Sequence, residues 1–166
     1  MEERVRFTEA MEAQYLGPCP SGYPTGGFLD FAFGTLGVTD PDKVLHFFGG
    51  GVQGGVTVDI RPETNPTVCC DVTNTPFKDA SFDWIMADGP ITPLFNMFLY
   101  GIPSNFPEET AVLAEAKRLL RKGGAFGTLH PIVPTDIEGL VREKTYAVLT
   151  EPGRMVCGWH VMRRVD

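Results

Sequence analysis

Residues 43–90 read KVLHFFGGGVQGGVTVDIRPETNPTVCCDVTNTPFKDASFDWIMADGP, and this stretch decides the fold. It contains four short apolar runs, each bounded by Gly, Pro, Asn or Asp: 44–48, 56–60, 67–72 and 82–88. Apolar runs of this length between turn-forming residues are typical of buried parallel strands. The stretch therefore predicts consecutive strands of one parallel sheet in an α/β protein.

Glycines and acids stand where these predicted strands end. Three glycines follow the first run, and an aspartate ends each of the next three: Gly49, Gly50, Gly51, Asp59, Asp71 and Asp88. In open α/β sheets, ligands bind where the carboxyl ends of such strands meet. Glycine lets backbone approach a ligand closely because it has no side chain in the way. The sequence therefore predicts a crevice for a nucleoside-like ligand at this edge of the sheet.

From residue 43 onward, the order of these features resembles the class I S-adenosylmethionine-dependent methyltransferases. The glycine loop and the acids Asp59 and Asp71 come first, then Ser81-Phe82-Asp83-Trp84-Ile85 at the fourth strand, then a turn at residues 119–124. The resemblance implies an α/β, Rossmann-like methyltransferase sheet, mostly parallel, with a C-terminal antiparallel hairpin. It also implies that the chain is an enzyme with S-adenosyl-L-methionine as its small-molecule cofactor.

The resemblance also implies which residues bind the cofactor. In the family, the acid that Asp59 matches accepts hydrogen bonds from the ribose hydroxyls, and the acid that Asp71 matches lies beside the adenine amino group. The full cofactor-binding set implied in this chain is His46, Gly49, Gly50, Gly51, Asp59, Ile60, Asp71, Val72 and Asp88.

A narrower resemblance is to the amino-methyltransferases of DNA, small phage and bacterial members among them, whose fourth strand ends Asp-Pro-Pro-Tyr. Here the corresponding segment is Asp88-Gly89-Pro90-Ile91. It implies methyl transfer to an exocyclic amino group of a nucleobase, with nucleic acid as a partner. The chain departs from the pattern twice: His46 replaces the acid that precedes the glycine loop, and Ile91 replaces an aromatic ring that stacks on a flipped base.

Two residues are candidates for catalysis. Asp88 ends a central strand, where a carboxylate can accept a hydrogen bond or a proton from the acceptor. His130 ends the fifth predicted strand near the same crevice, and its ordinary pKa lies near neutrality. The alternatives are a helix N-cap for Asp88 and a structural, hydrogen-bonded role for His130. A non-catalytic or divergent nucleoside-binding protein that retains the fold is the alternative for the whole chain.

Bulk properties narrow the class of protein. A length of 166 residues fits one domain, with residues 1–42 as an N-terminal helical and loop cap and residues 43–166 as the Rossmann-like core. The net charge of −7 disfavours non-specific nucleic-acid binding. No apolar run is long enough to span a bilayer, and residues 1–6 do not resemble a secretion signal, so we expect no membrane partner and a cytoplasmic location. The four cysteines form no CxxC pair, and we expect no metal site.

The remaining pattern predicts two helices and a hairpin. Residues 28–36 and residues 107–122 carry apolar positions at one-face helical spacing. Residues 125–130 predict the fifth strand, and residues 146–150 and 155–162 predict a closing hairpin. Residues 5–16 form an amphipathic segment, and residues 94–100 predict a further, partly buried helix.

The loops between the first predicted strands are short for parallel connections. Parallel strands normally need a crossover of about a dozen residues or more, usually with a helix. Residues 49–55 and 61–66 leave no room for one, which predicts reduced helices between the first strands. A sheet face without its helices would be left bare, so we expect a homo-oligomer that covers the face near strands one to three.

Overall fold

The computed structural model of the chain describes residues 10–11, 23, 27–89, 107–151 and 155–166. Of the amphipathic segment 5–16 only residues 10–11 are described, and they form a strand. The helix predicted at residues 94–100 and the Ile91 position lie outside the described residues.

In the described part of the chain, eight strands form one sheet. They are β1 (Ala10–Met11), β2 (Leu45–Phe47), β3 (Val56–Asp59), β4 (Val68–Cys69), β5 (Phe82–Ala87), β6 (Leu120–His130), β7 (Leu140–Glu151) and β8 (Met155–Arg164). Their order across the sheet is β1-β7-β8-β6-β5-β2-β3-β4. The block from β4 to β6 is parallel, whereas β8 runs antiparallel to both β6 and β7. The predicted fold class is therefore confirmed.

Helix α1 (Phe28–Leu36) has the predicted bounds, and it lies on one face of the sheet. Gly37 ends it with a φ of 71°, in the left-handed region that favours glycine, and donates its N–H to the Gly34 carbonyl. Its buried side chains recur at every fourth position, at Phe28, Ala32 and Leu36. They pack with Trp159, Val161 and Met86 in one of two apolar clusters.

Helix α2 (Glu109–Leu119) packs against the opposite face. Glu109 in its first turn and Arg118 in its last complement the helix dipole. The prediction of a helix over 107–122 was wrong at its ends, because Leu120 already pairs with Phe82 of β5 and starts β6. Strand β6 therefore begins five residues earlier than predicted, immediately after the helix.

The described connections between the first parallel strands contain no α-helix. Residues 48–55 join β2 to β3, residues 60–67 join β3 to β4, and residues 70–81 join β4 to β5, with one 3-10 turn at Pro62–Thr64. Such short links can close because β2 and β3 span only three and four residues, so the chain has little distance to return. The prediction of reduced helices is confirmed.

The connection over residues 70–81 covers part of the sheet face that was predicted to be bare. Val72 is buried, and Phe77 packs against Phe82 and the α2-side cluster. Helix α2 fixes this connection, since buried Glu115 accepts the Thr75 N–H at 2.9 Å and Arg118 donates to the Phe77 carbonyl at 2.9 Å. A loop thus supplies cover that the missing helices would have supplied, which removes part of the reason for expecting self-association.

Candidate cofactor-binding site

Because strands β2 to β6 are parallel, their carboxyl ends meet at one edge of the sheet. The order β4-β3-β2-β5-β6 brings the predicted site segments there side by side. They are the glycine loop after β2, Asp59 in β3, Asp71 after β4, Asp88 after β5 and His130 in β6. The sheet thus lines up at one edge the segments that the sequence predicted.

The glycine loop is fixed to β3 by its own backbone. Gly49 donates its N–H to the Val58 carbonyl at 3.0 Å, and Gly50 donates its N–H to Asp59 Oδ2 at 3.0 Å. A Cβ on Gly49 would lie 2.8 Å from the Cβ of Thr57, so this position admits only glycine without a shift of β3. The loop and Asp59 are therefore one structural unit.

Asp59 is buried and fully engaged. Its carboxylate accepts the Gly50 N–H, the Arg61 N–H at 2.9 Å and two guanidinium hydrogen bonds from Arg61 at 3.0 Å each. Burial by itself raises the pKa of Asp59, but the hydrogen bonds and charge of Arg61 outweigh it and hold the pKa below its usual value. Asp59 is therefore an ionised carboxylate at neutral pH.

Sequence reasoning missed Arg61. The signal was the spacing Asp-x-Arg at the end of β3, which places the guanidinium beside the carboxylate two residues earlier. The two ionic hydrogen bonds use one lone pair on each Asp59 oxygen. A ribose diol that approached Asp59 would meet a carboxylate already shared with a cation.

Asp71 differs from Asp59 in its surroundings. It is exposed, and its Oδ1 accepts both the Thr73 N–H at 2.8 Å and the Thr73 hydroxyl at 2.7 Å. These contacts cap the turn that follows β4. Beside it, Val72 is buried at 4% exposure, and Ile60 in the neighbouring loop is 39% exposed.

His46 is buried and neutral. It is 1% exposed, and burial lowers its pKa to about 4. Its Nδ1 lies 3.4 Å from the hydroxyl of Tyr23, and the two rings meet edge to face at 5.8 Å. The position that holds an acid in the resembling family therefore carries no charge here.

Asp88 lies at the end of β5, beside the end of β2. The Asp88 side chain is half-buried, and the partial loss of water around its carboxyl raises the pKa above its ordinary value. Burial and the negative charge of Asp88 likewise raise the pKa of Tyr23. The phenol and the carboxyl are thus electrostatic neighbours.

Phe48 follows β2 and has a positive φ of 54°. Such a conformation is unusual for a bulky residue and costs roughly 1–3 kcal/mol. Its ring lies against the end of β5, since a Cβ on Gly89 would be 3.3 Å from Phe48 Cε2. Sequence reasoning missed this contact, which puts an aromatic side chain between the glycine loop and the Asp88–Gly89 segment.

His130 faces its own following turn. Its Nδ1 lies 3.0 Å from the Ile132 carbonyl oxygen and 3.2 Å from the Ile132 nitrogen, and its backbone carbonyl lies 3.2 Å from Nε2 of buried His160. Among the described residues, no group of three or more His, Cys, Asp or Glu side chains is placed to hold a metal ion, and none of the described helices is long and apolar enough to cross a membrane.

The residues at this edge are compatible with S-adenosylmethionine in their donor and acceptor chemistry. A buried, ionised carboxylate adjoins a glycine loop whose first glycine has no room for a side chain. These are groups that suit ribose hydroxyls and a close backbone approach. Three side chains at this edge depart from the expected cofactor site: His46 is neutral, Phe48 lies beside Gly89, and Arg61 is paired with Asp59.

A family model described as a methyltransferase domain matches residues 55–128. The match covers β3 to β6 and starts after the glycine loop, so the segment with His46 and Phe48 lies outside it. No curated protein sequence matches the chain significantly.

Solved structures share the fold. TrmN from Thermus thermophilus matches with 15% identity and a TM-score of 0.59 over 82% of this chain and 48% of that one. The 1,6-didemethyltoxoflavin-N1-methyltransferase of Burkholderia thailandensis, solved with its substrate and S-adenosylhomocysteine, matches with 16% identity and a TM-score of 0.52, over 82% and 76%. The [4+2]-cyclase SpnF matches with 10% identity and a TM-score of 0.60, over 93% and 87%. This chain thus spans about half the length of the TrmN chain.

The strand order, the short parallel block and the C-terminal antiparallel pair define the class I methyltransferase fold. The segment over residues 55–128, which is similar to a methyltransferase domain, lies within this fold. One of these similar structures holds S-adenosylhomocysteine. The comparisons show neither the narrower Asp-Pro-Pro-Tyr subtype nor a phage origin.

Proposed function

We propose that the chain transfers a methyl group from S-adenosylmethionine to an amino nitrogen, with Asp88 at the acceptor. The observation that supports this most is the Asp88 carboxyl at the end of β5, whose pKa burial raises. A raised pKa brings a carboxylate closer to the working pH, where a general base is most effective. The cofactor supplies the methyl group on a sulfonium sulfur, and this sulfur is the leaving group of an in-line displacement.

The protein's task in this reaction is to position two reactants and to accept a proton. Asp88 accepts a hydrogen bond from the acceptor N–H and then takes the proton that methylation makes acidic. Gly89, next in the chain, offers a backbone carbonyl that holds the second N–H. His130 serves as a further acid or base only if its Nδ1 leaves the Ile132 backbone that it contacts here.

On the cofactor side, we assign Asp59 to the ribose hydroxyls and the loop of Gly49, Gly50 and Gly51 to the methionine part. Asp71, with Val72 and Ile60, borders the adenine. The assignment of Asp59 is supported by its ionised state, and it requires the ribose hydroxyls to displace hydrogen bonds that Arg61 or Gly50 makes to the carboxylate here. The assignment of Asp71 is supported only by its place after β4, because its carboxylate is exposed and caps its own turn.

For the acceptor, we infer a planar amine, and the remnant Asp88-Gly89-Pro90 favours the exocyclic amino group of a nucleobase. The net charge of −7 favours a free base, nucleoside or other small heteroaromatic amine over duplex DNA, because DNA binding needs a basic surface. The similarity to the 1,6-didemethyltoxoflavin-N1-methyltransferase also favours a small-molecule acceptor.

A second candidate function is supported by the modified cofactor edge. His46 is neutral, Arg61 forms an ion pair with Asp59, and Phe48 lies beside Gly89. These features suit a protein that retains the fold and binds a nucleoside without transferring a methyl group. The similarity to the [4+2]-cyclase SpnF supports this candidate, because it extends the fold beyond proteins named as methyltransferases.

Self-association stays a prediction. Among the described residues the exposed large apolar side chains are scattered, with Ile60 near the first strands and the others on the segments around β7 and β8. Sedimentation of the purified protein at micromolar concentration tests it, since a monomer would show that residues 70–81 and the rest of the chain cover the sheet unaided.

Two measurements separate the candidate functions. Calorimetric titration with S-adenosylmethionine tests the site, and incubation of metabolite and nucleic-acid pools with methyl-labelled cofactor, followed by mass spectrometry, tests transfer. Binding with a labelled amine product supports the methyltransferase. Binding with no product from any pool supports the nucleoside-binding protein, and no binding at millimolar ligand would contradict both.

A further inference from the structure

The hydrogen-bonding capacity of the Asp59 carboxylate is filled by donors of this chain. A carboxylate has about four lone-pair sites on its two oxygens. Oδ1 accepts the Arg61 backbone N–H at 2.9 Å and the Arg61 Nε–H at 3.0 Å, and Oδ2 accepts the Gly50 N–H and an Arg61 Nη2–H at 3.0 Å each. A ribose diol that binds this carboxylate must therefore displace two of these donors.

Two of these donors are backbone groups that other hydrogen bonds hold in place. The Gly50 N–H belongs to a loop whose preceding residue is bonded to the β3 backbone at 3.0 Å. Arg61 precedes the 3-10 turn at Pro62–Thr64, and its carbonyl accepts the Thr64 N–H at 3.3 Å and the Thr64 hydroxyl at 2.9 Å. Displacement of either backbone donor would therefore move a segment that is anchored on both sides of Asp59.

The two guanidinium donors differ, because they lie on a long side chain that is partly exposed. The Arg61 side chain is 22% exposed, whereas the Asp59 side chain is 4% exposed. A rotation of the Arg61 side chain would carry the guanidinium into water and leave both backbone donors on the carboxylate. It would free one acceptor site on each Asp59 oxygen, which is what two adjacent ribose hydroxyls need.

We propose that Arg61 sets the affinity and the ribose selectivity of this site, because its guanidinium and the ribose hydroxyls compete for the same two acceptor sites on Asp59. The proposal rests on the proposed use of Asp59 for the ribose of S-adenosylmethionine. The exchange replaces two hydrogen bonds between opposite charges with two from neutral hydroxyls, which are weaker. Arg61 therefore lowers the affinity for a ribose that Asp59 would otherwise bind more tightly.

Arg61→Met tests the competition, because it removes the guanidinium and keeps the backbone N–H and a long side chain. The ligands are S-adenosylhomocysteine, adenosine and 2′,3′-dideoxyadenosine, which differs from adenosine only by its two missing ribose hydroxyls. We expect the variant to bind the first two about tenfold more tightly than the wild type and the third within about twofold. Calorimetry at mildly alkaline pH keeps Asp59 ionised, since the variant lacks the guanidinium that holds its pKa low.

Arg121→Met is the matched control. Arg121 forms an ion pair with Asp83 at 2.5 Å, near the amino end of β5 and so at the opposite edge of the sheet. We expect all three ligands to bind this variant as they bind the wild type. Arg61→Gln is the second test variant if Arg61→Met does not fold. Its neutral amide can still donate to Asp59, so we expect a smaller gain, of about threefold, for the two ligands with ribose hydroxyls.

The outcomes separate this proposal from the one on which it rests. A gain confined to the ligands with ribose hydroxyls supports the competition. No gain, a loss, or an equal gain for all three ligands overturns the role of Arg61, while binding of S-adenosylhomocysteine by the wild type still supports the cofactor site. Failure of both the wild type and the Arg61 variants to bind S-adenosylhomocysteine at millimolar concentration overturns the cofactor site itself, and this proposal with it.

Discussion

Asp59 and Asp88 are the same residue type at the same edge of one sheet, yet their surroundings shift their pKa values in opposite directions. Asp59 is held ionised by Arg61 and a backbone N–H, whereas desolvation raises the pKa of Asp88. Pairs of acids whose environments separate their pKa values mark a division of labour in active sites. The difference is consistent with a fixed hydrogen-bonding charge at the β3 end, and it supports the proposal that Asp88 at the β5 end accepts a proton.

The largest expected effect is on Asp88. Asp88→Asn keeps the shape and removes the base, so we expect methyl transfer to fall by about 10²–10⁴-fold, with cofactor affinity within a few-fold of wild type. Because burial penalises the Asp88 charge, the same variant should unfold at an equal or higher urea concentration. A labelled-methyl transfer assay measures the activity, and a urea titration measures the stability. Full activity of the variant would contradict the role of Asp88 as a base.

The pH dependence of stability that comes from His46 tests how apolar the site is near Asp88. Its pKa is 6.5 unperturbed and about 4 in the folded chain. Between these values the unfolded chain binds a proton at residue 46 and the folded chain does not, so stability falls as the pH drops from 6.5 to 4. This contribution amounts to about 3 kcal/mol at most, and His46→Asn should remove it from the pH dependence of urea unfolding. An unchanged slope would show that the imidazole is hydrated.

Asp59→Ala sharpens the other side of the comparison. Loss of hydrogen bonds from an ionised carboxylate costs about 1.5–3 kcal/mol each at most, so we expect cofactor binding to weaken about 10- to 100-fold. Calorimetry with S-adenosylhomocysteine measures it. The variant also leaves Arg61 without its carboxylate. The control is therefore Arg61→Ala in the Asp59→Ala background, which separates a lost ribose contact from a misplaced guanidinium.

The smallest expected effect is on Asp71. Its carboxylate is exposed and its recorded contacts are with Thr73, so Asp71→Ala should change cofactor affinity by less than about threefold, the scale of a solvent-exposed contact. An effect as large as that of Asp59→Ala would show that Asp71 leaves its turn when ligand binds.

Much of the fold could be predicted from the sequence because the relevant signals are local. The helix at 28–36 ends at a glycine with positive φ, and the four apolar runs form strands within a residue or two of the expected bounds, apart from the shorter β4. The end of α2 could not be predicted, since helical spacing continues into residues 120–122. There, pairing of Leu120 with Phe82 in the sheet prevails over local helix propensity.

The candidate site was predictable in part for the same reason. Strand-end residues such as Asp59 and Asp88 follow from strand direction, which places them at one edge. Contacts across distant or irregular segments do not follow from strand direction. Tyr23 reaches His46 from 23 residues away, and the Phe48 ring meets Gly89 through a backbone conformation that few aromatic residues adopt.

Local signals predict that an α/β sheet forms and which residue types stand at its strand ends, because apolar runs, turn residues and glycine positions act over a few neighbours. The charge state of those residues depends on packing between segments that are distant in the sequence. The pKa of an acid depends on how much water and which cations surround it in three dimensions. Two aspartates with similar sequence surroundings therefore became a paired anion in one case and a desolvated acid in the other.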